Sequence, residues 1–162
     1  MIIRSGTTGD APFIQRVHEA SIRGAPAGIY SRAELESWAV GLNMDRYIWA
    51  MNFVDERYIL AEADGEGGNL AGFCSWQTQQ VIGLYIHPVW TGRGVASALM
   101  DWAEAAIIAE GARHIVLSAS AIARPFYETR GYRVTQRRNW KTRGGLVVEA
   151  FDMAKAARPS PP

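Results

Sequence analysis

Ten residues, His87-Pro88-Val89-Trp90-Thr91-Gly92-Arg93-Gly94-Val95-Ala96, have the types and order that point most directly to chemistry. An apolar run from Val81 to Ile86 leads into them, and an amphipathic stretch follows at once. A strand that turns into a helix through glycines leaves several backbone N–H groups free at the positive end of the helix dipole. That is a seat for a phosphate or pyrophosphate. Glycine also removes the Cβ that would hold the main chain away from such a ligand. The segment therefore predicts a phosphorylated cofactor. A nucleoside-triphosphate loop is excluded, because Val95-Ala96 stand where a Lys-Ser/Thr pair is required. A dinucleotide fingerprint fits poorly: Ser97 takes the place of the third glycine, and the turn lies past the middle of the chain. Taken alone, the segment also reads as a plain tight loop with a glycine before its helix.

A second group follows at Ser120-Ala121-Ile122-Ala123-Arg124-Pro125-Phe126-Tyr127-Glu128-Thr129-Arg130-Gly131-Tyr132. It sets an aromatic pair and an acid just before a glycine-aromatic step. Tyr127 reads either as a phenol available for proton transfer or as an aromatic packing one face of a short helix. Other residues that could do chemistry are scattered. His18, His87 and His114 share no ligand spacing with one another or with Cys74, so no metal site is predicted. No G-x-S-x-G elbow exists for a serine hydrolase. The basic run Arg137, Arg138, Lys141 and Arg143 reads first as the solvated face of a hairpin. Tyr30, Trp38, Tyr47, Trp49 and Phe53 read mostly as core.

The elements that must position these residues alternate. A strand at Ile2–Arg4 precedes a helix from about Pro12 to Ser21, capped by Thr8 or Asp10. Ser31 followed by Glu34 is a capping box and opens a helix to about Leu42. Strands at Arg57–Ala63 and Leu70–Gln77 flank the turn Asp64-Gly65-Glu66-Gly67-Gly68-Asn69, and Val81–His87 is a further strand. Arg93 to Glu110 is a long helix stopped by Gly111. His114–Ala119, a short helix at Ile122–Thr129, and a last hairpin, Tyr132–Trp140 with Leu146–Met153, complete the order β-α-α-β-β-β-α-β-α-β-β. A mixed sheet covered by helices on both faces buries such a set. The strands around the glycine turn should be parallel, joined by a right-handed crossover.

The 162 residues suit one domain, placed at residues 1–154 with an unstructured proline-rich tail at 155–162. Lys and Arg number 17 against 16 Asp and Glu, which gives no case for a nucleic-acid or membrane partner. The lone Cys74 forms no internal disulfide and fits a reducing cytoplasm. No leader is read at the first residues, and no apolar run nears the roughly 20 residues of a membrane span. A cytoplasmic protein is expected.

Together the two constellations resemble the GNAT superfamily of N-acetyltransferases. That family's turn reads R/Q-x-x-G-x-G/A. Gly94 and Ala96 match it, and Thr91 departs from it. Its second segment, F/L-Y-E-x-x-G-F/Y, is matched by Phe126-Tyr127-Glu128 and Gly131-Tyr132. The resemblance spans roughly residues 2–154 and is strongest over 81–134. The opening, with Asp10, Ser21-Ile22-Arg23, Tyr30-Ser31 and Trp38, is similar to a small bacterial branch. The resemblance implies a mixed α/β (α+β) fold with a central, mostly antiparallel sheet. It implies acetyl-coenzyme A as co-substrate and direct transfer to an amine, a small molecule or a protein amino group, without a covalent acyl-enzyme. It also allows a homodimer built on the last strands.

The same resemblance assigns residues. Gly92, Arg93, Gly94, Val95, Ala96 and Ser97 hold the pyrophosphate, and Leu84, Tyr85 and Ile86 pair with pantetheine. Ser120 stands where relatives carry an Asn that touches the cofactor. Tyr127 is expected to touch the cofactor and to be the general acid, since a phenol of pKa about 10 suits a leaving thiolate near 8.5. Tyr30, Trp38 and Tyr85 are expected to line the acceptor cleft. An alkylamine of pKa about 10.4 is neutral roughly once in 2,500 molecules at pH 7, so a base, a water chain or a desolvating pocket must offset about 4.6 kcal/mol. Tyr85, His87, Glu62 and Glu149 are open candidates for that role. The basic run gains a functional alternative, contact with an acidic acceptor or a coenzyme phosphate. Two readings compete: a coenzyme A-binding sensor without turnover, motivated by Thr91 and Ser120, and an interaction protein that uses the aromatics as an interface.

Overall fold

Alternating apolar residues and glycine stops build a seven-stranded sheet in the computed structural model, which describes residues 1–63 and 69–157. The elements are β1 (Ile2–Ser5), α1 (Ala11–Arg23), α2 (Arg32–Ala39), α3 (Met44–Phe53), β2 (Arg57–Glu62), β3 (Leu70–Gln77), β4 (Gln80–Ile86), α4 (Val95–Ala109), β5 (His114–Ser120), α5 (Arg124–Thr129), β6 (Arg133–Lys141) and β7 (Val147–Ala156). The sheet order is β1-β2-β3-β4-β5-β7-β6, antiparallel except for the parallel pair β4–β5.

The predicted order lacks one element, α3. Among its residues only Tyr47 and Ala50 are buried, while Met44, Trp49 and Phe53 face outward. Its apolar residues therefore show no clean helical stripe. Most of the turn predicted at Asp64–Asn69 and the tail from Arg158 lie outside the described residues. Lys155 and Ala156, expected to begin the tail, instead close β7, and Ala157 is buried with its N–H donating to Arg113 O at 2.8 Å.

One sheet face packs against α4 and α5 through Leu99, Met100, Ala103, Ile107 and Tyr127, together with Ile115, Leu117 and Met153 from the strands. The other face carries α1, α2 and α3 over Phe73, Leu60, Tyr58 and Tyr85. Strand β3 is covered on both faces, and Gly72 lets it run close to β4: an added Cβ would meet Ile86 Cδ1 at 2.6 Å and Tyr85 O at 2.9 Å.

The parallel pair β4–β5 is short. Only Gln80 and Val81 register against Val116 and Leu117. Beyond Val81, β4 stays with β3 as far as Gly72–Ile86, and β5 stays with β7 as far as Ser120–Ala150. A gap therefore opens inside the sheet between the last residues of β4 and β5.

The β6–β7 loop is fixed against α2. Gly144 N–H donates to Ser37 O at 2.8 Å, Ser37 Oγ is hydrogen-bonded to Thr142 Oγ1, and Leu146 N–H reaches Thr142 Oγ1 at 3.1 Å. A Cβ at Gly144 would lie 2.8 Å from Ser37 Cα and 3.0 Å from Ser37 O, both backbone atoms. Gly144→Ala should therefore destabilise the protein by about 1–3 kcal/mol through overpacking. The check is a lower urea midpoint at unchanged m-value. An unchanged midpoint would mean that the loop is free to move off α2.

Candidate active site

The hydrogen bond from His87 N–H to Ala71 O, at 2.8 Å, fixes the phase of β4 against β3. By alternation, Tyr85 turns its N–H and C=O toward β3, whereas Leu84 and Ile86 turn theirs toward the gap. Past Ile86 the chain makes a single turn at Pro88–Trp90. It then passes through Gly92 and Gly94 at φ of +77° and +82°, where a side chain would be strained. The first backbone bond of α4 runs from Ala98 N–H to Gly94 O at 3.1 Å. The N–H groups of Gly92 through Ser97 accordingly have no acceptor among the described residues. A Cβ built on either glycine meets nothing within 4 Å, so the main chain borders open space.

That space is a cavity of about 510 Å³ running from Leu84 and Ile86, past the turn, to Ser120 and Phe126. A second cavity of about 220 Å³ lies under α1, α2 and α3 and reaches Arg138, Trp140 and Arg143. Three residues, Trp38, Tyr85 and Ser120, line both. They form the boundary across which a group held in one cavity meets a group held in the other.

The predicted cofactor residues Leu84, Tyr85, Ile86, Gly92, Gly94, Val95, Ala96, Ser97 and Ser120 all line the larger cavity, as does Thr91. Arg93 does not; its guanidinium lies over the Trp90 ring at 5.0 Å. Tyr127 lines neither cavity. It is buried in the core beside Phe126 and Tyr132, with ring centroids at 5.3 and 5.7 Å, and its hydroxyl has no hydrogen-bond partner among the described residues. Burial, then the neighbouring Cys74 and Tyr85, pushes this phenol well above its ordinary range.

Of the residues expected at the acceptor cleft, Tyr30 lines the smaller cavity, and Trp38 and Tyr85 line both. The Tyr30 hydroxyl accepts from Ala121 N–H at 2.8 Å and donates to Glu149 O at 3.3 Å, tying the end of β5 to β7. Ser120 Oγ accepts from Ala123 N–H at 3.1 Å, which leaves its hydroxyl hydrogen for another partner. Among the candidate bases, Glu149 lines the smaller cavity. Glu62 does not: it pairs with Arg4 at 2.6 Å. His87 lines neither cavity, and its Nδ1 accepts from Val89 N–H at 3.3 Å.

Sequence reasoning passed over Arg46 and weighed His18 only as a metal ligand. It named Arg143 within the basic run, whose second reading was contact with an acidic acceptor or a coenzyme phosphate. The His18 ring is 5 % exposed, lies against Tyr85 with centroids 3.9 Å apart, and shares a 2.9 Å hydrogen bond between Nδ1 and Tyr47 Oη. Its Nε2 is buried with no partner among the described residues. Burial first, then Arg46 and Arg143, holds this imidazole well below its ordinary range, so it is neutral at neutral pH. A lone histidine in an apolar stripe gives no sequence signal of this. Arg143 belongs to the run read as a solvated face. In fact it donates to Trp38 O, and its Nε to Val40 O at 3.0 Å, at the C-terminus of α2.

The model of the acetyltransferase (GNAT) domain matches residues 29–156. The uncharacterized N-acetyltransferase YafP of Escherichia coli (strain K12) is 23% identical over 149 residues, 92% of each chain. The crystal structure of a GCN5-related N-acetyltransferase (aminotransferase, class-II) from Rhodopseudomonas palustris superposes with a TM-score of 0.85 at 28% identity, covering 96% of this chain and 94% of that one. The structure of yncA, a putative acetyltransferase from Salmonella typhimurium with its cofactor acetyl-CoA, shares the fold. Its TM-score is 0.70 at 16% identity, over 100% of this chain and 96% of that one.

The depressed His18 pKa fixes the sign of a pH effect. Below about 6.5 the unfolded chain binds a proton that the native imidazole refuses. Its contribution is therefore complete above that pH and is lost as pH falls toward the folded pKa, with a slope of up to about 1.4 kcal/mol per pH unit. Urea unfolding between pH 7 and 5 should show this slope in the native protein and its absence in His18→Gln. Equal slopes would mean that His18 is protonated in the fold.

Proposed function

Since the chain belongs to the GNAT acetyltransferase family and is an acetyl-coenzyme A-dependent N-acetyltransferase, we propose that it moves the acetyl group directly to an amine held in the smaller cavity. The observation that carries this reading is the shared wall of Trp38, Tyr85 and Ser120 between a cavity bordered by the glycine turn and a second, aromatic-lined cavity. Bound in the larger cavity, acetyl-coenzyme A supplies an acetyl group activated as a thioester and leaves as the free thiol.

The chain's own residues divide the work. The free N–H groups from Gly92 to Ser97, at the positive end of α4, hold the pyrophosphate. Leu84 and Ile86 offer the pantetheine amides the hydrogen bonds that β5 does not take. Glu149, one residue from the Ser120–Ala150 pair, takes the ammonium proton through water, so that the amine nitrogen is free to bond the acetyl carbon. Tyr127, kept protonated by burial and lining neither cavity, is the proposed hydrogen-bond donor to the sulfur as the C–S bond breaks. That role requires the thioester to reach past the cavity wall at Tyr85 and Phe126. The second proton of the amine, lost as the amide forms, ends on the sulfur, which leaves as the thiol. Cys74 is sealed in the core beside Met100, its thiol pushed up by burial, and takes no part.

Two measurements test this. Calorimetric titration should show acetyl-coenzyme A binding to the native protein. Gly94→Trp should weaken it by about 100-fold or more, the loss of about 2.7 kcal/mol of phosphate contacts. Thiol release with a panel of amines should follow. Tyr127→Phe should lower kcat by about 100-fold while leaving acetyl-coenzyme A affinity within about threefold. Tight binding with no thiol release from any amine would replace transfer by the sensor reading. No binding in either protein would sink both.

A further inference from the structure

We propose that the acceptor is a small zwitterion, an amino acid whose carboxylate is held by Arg46 and Arg143 while its amino group faces the shared wall. The proposal rests on the acetyltransferase reading above and adds the class of acceptor.

The smaller cavity carries positive charge that goes unpaired among the described residues. Arg46, on α3, lines it, and its exposed side chain makes neither a salt bridge nor a hydrogen bond among the described residues. Arg143, on the β6–β7 loop, lines it too, and its hydrogen bonds go to the neutral carbonyls of Trp38 and Val40. The third arginine, Arg138, differs: Asp152 pairs with it at 3.1 Å and Ser118 accepts from it at 3.2 Å. The cavity's two carboxylates, Glu56 and Glu149, pair with neither Arg46 nor Arg143 among the described residues. Two guanidinium charges thus border one small space, and neither is paired with a carboxylate among the described residues.

Their fields meet on the same groups. Both push the His18 imidazole toward its neutral form, and burial together with Arg46 lowers the affinity of Arg143 for its own proton. Arg143 is half-buried and Arg46 exposed. The crowding felt by Arg143 is relieved by a bound anion, and a guanidinium fork fits a carboxylate in particular. His18 belongs to the same lining, and its Nε2 is one more buried polar atom with no partner among the described residues.

The carbonyl of Glu149, which accepts from Tyr30 Oη at 3.3 Å, and the hydroxyl of Ser120 belong to the same lining and are acceptors that an ammonium can use. Trp38, Tyr85 and Trp140 give the space between a flat apolar lining. At about 220 Å³ the cavity is smaller than the usual range for drug-sized ligands, which suits an amino acid rather than a folded protein surface.

The experiment compares free amino acids with the amines left when their carboxylate is removed, using thiol release from acetyl-coenzyme A. At least one amino acid should exceed its matched amine by about 30-fold or more in kcat/KM. In Arg46→Gln that preference should shrink at least tenfold, through KM. Arg46→Lys should restore part of it. Calorimetry of the preferred amino acid with protein lacking acetyl-coenzyme A reads the same site without turnover, and Arg46→Gln should weaken that binding at least tenfold. Thiol release with simple amines at equal or higher kcat/KM than with every amino acid would overturn the zwitterion assignment and leave acetyl transfer standing. Amino-acid binding that depends on Arg46, without acetyl-coenzyme A binding, would keep the anion site and overturn the transferase reading beneath it.

Discussion

The separation of β4 from β5 after one short stretch of parallel pairing is the constraint on which the rest of the site depends. Backbone hydrogen bonding is ordinarily completed within a sheet, and leaving a ladder unfinished inside one is unfavourable unless something else takes the bonds. Here the two strands are held apart because each is bound more firmly to its outer neighbour. Strand β4 runs with β3 to Ile86, and β5 runs with β7 to Ser120. The groups facing the gap at Leu84 and Ile86 are reachable by water, so the opening costs little when water fills it. A ligand amide that replaces the water returns about 0.5–1.5 kcal/mol per bond. The interruption is thus a binding surface with fixed spacing and fixed direction.

The acceptor side depends on a different kind of contact. Helix α2 brings Trp38 to the shared wall, and α2 is fixed by the β6–β7 loop through Ser37, Thr142 and Gly144. Arg143 then closes the C-terminus of the helix, where carbonyl groups have no intrahelical donor and a cation is favoured. One arginine therefore has two consequences. It anchors the helix that carries Trp38, and it brings positive charge to the cavity that Trp38 lines. The opening that receives the acceptor is made by residues more than 100 positions apart in sequence, such as Trp38 and Arg143, at the end where β6 and β7 turn.

How much of this was legible in the sequence follows from the range of each interaction. Glycines at positive φ, the apolar strand before them and the helix after them are local, and the turn at Gly92–Gly94 was readable for that reason. The capping box at Ser31–Glu34 was local too, with Glu34 N–H donating to Ser31 Oγ at 3.0 Å. Helix α3 escaped because it buries only part of one face. Arg46 escaped because a single arginine on a helix looks alike whether it faces water or a cavity. Arg143 was legible only as one charge of a basic run with two readings, a solvated face or contact with an acidic acceptor or a coenzyme phosphate. Only the fold brings α3 opposite the β6–β7 loop. His18 had no local signature, since its partners Tyr47 and Tyr85 come from a helix and a strand far along the chain. Tyr127 and Arg93 show the opposite limit. A motif names the position, but side-chain direction decided that one is buried beside Tyr132 and the other lies on Trp90.

Strand alternation explains why one short strand can serve both cavities. At Leu84 and Ile86 the side chains enter the core beneath α4 while the backbone groups point into the gap. At Tyr85, between them, the backbone is committed to β3 and the ring projects to the opposite face, against His18, Phe73 and Trp38. The cofactor side is thus met by main chain and the acceptor side by a side chain, within three consecutive residues. Main-chain contacts tolerate substitution at Leu84 and Ile86 so long as the core is filled. The ring of Tyr85 does not, because its position is fixed by aromatic neighbours drawn from α1, α2 and β3. Acceptor choice can therefore vary through α1–α3 and the β6–β7 loop while the geometry toward the cofactor, set by strand phase and by two glycines, stays as it is.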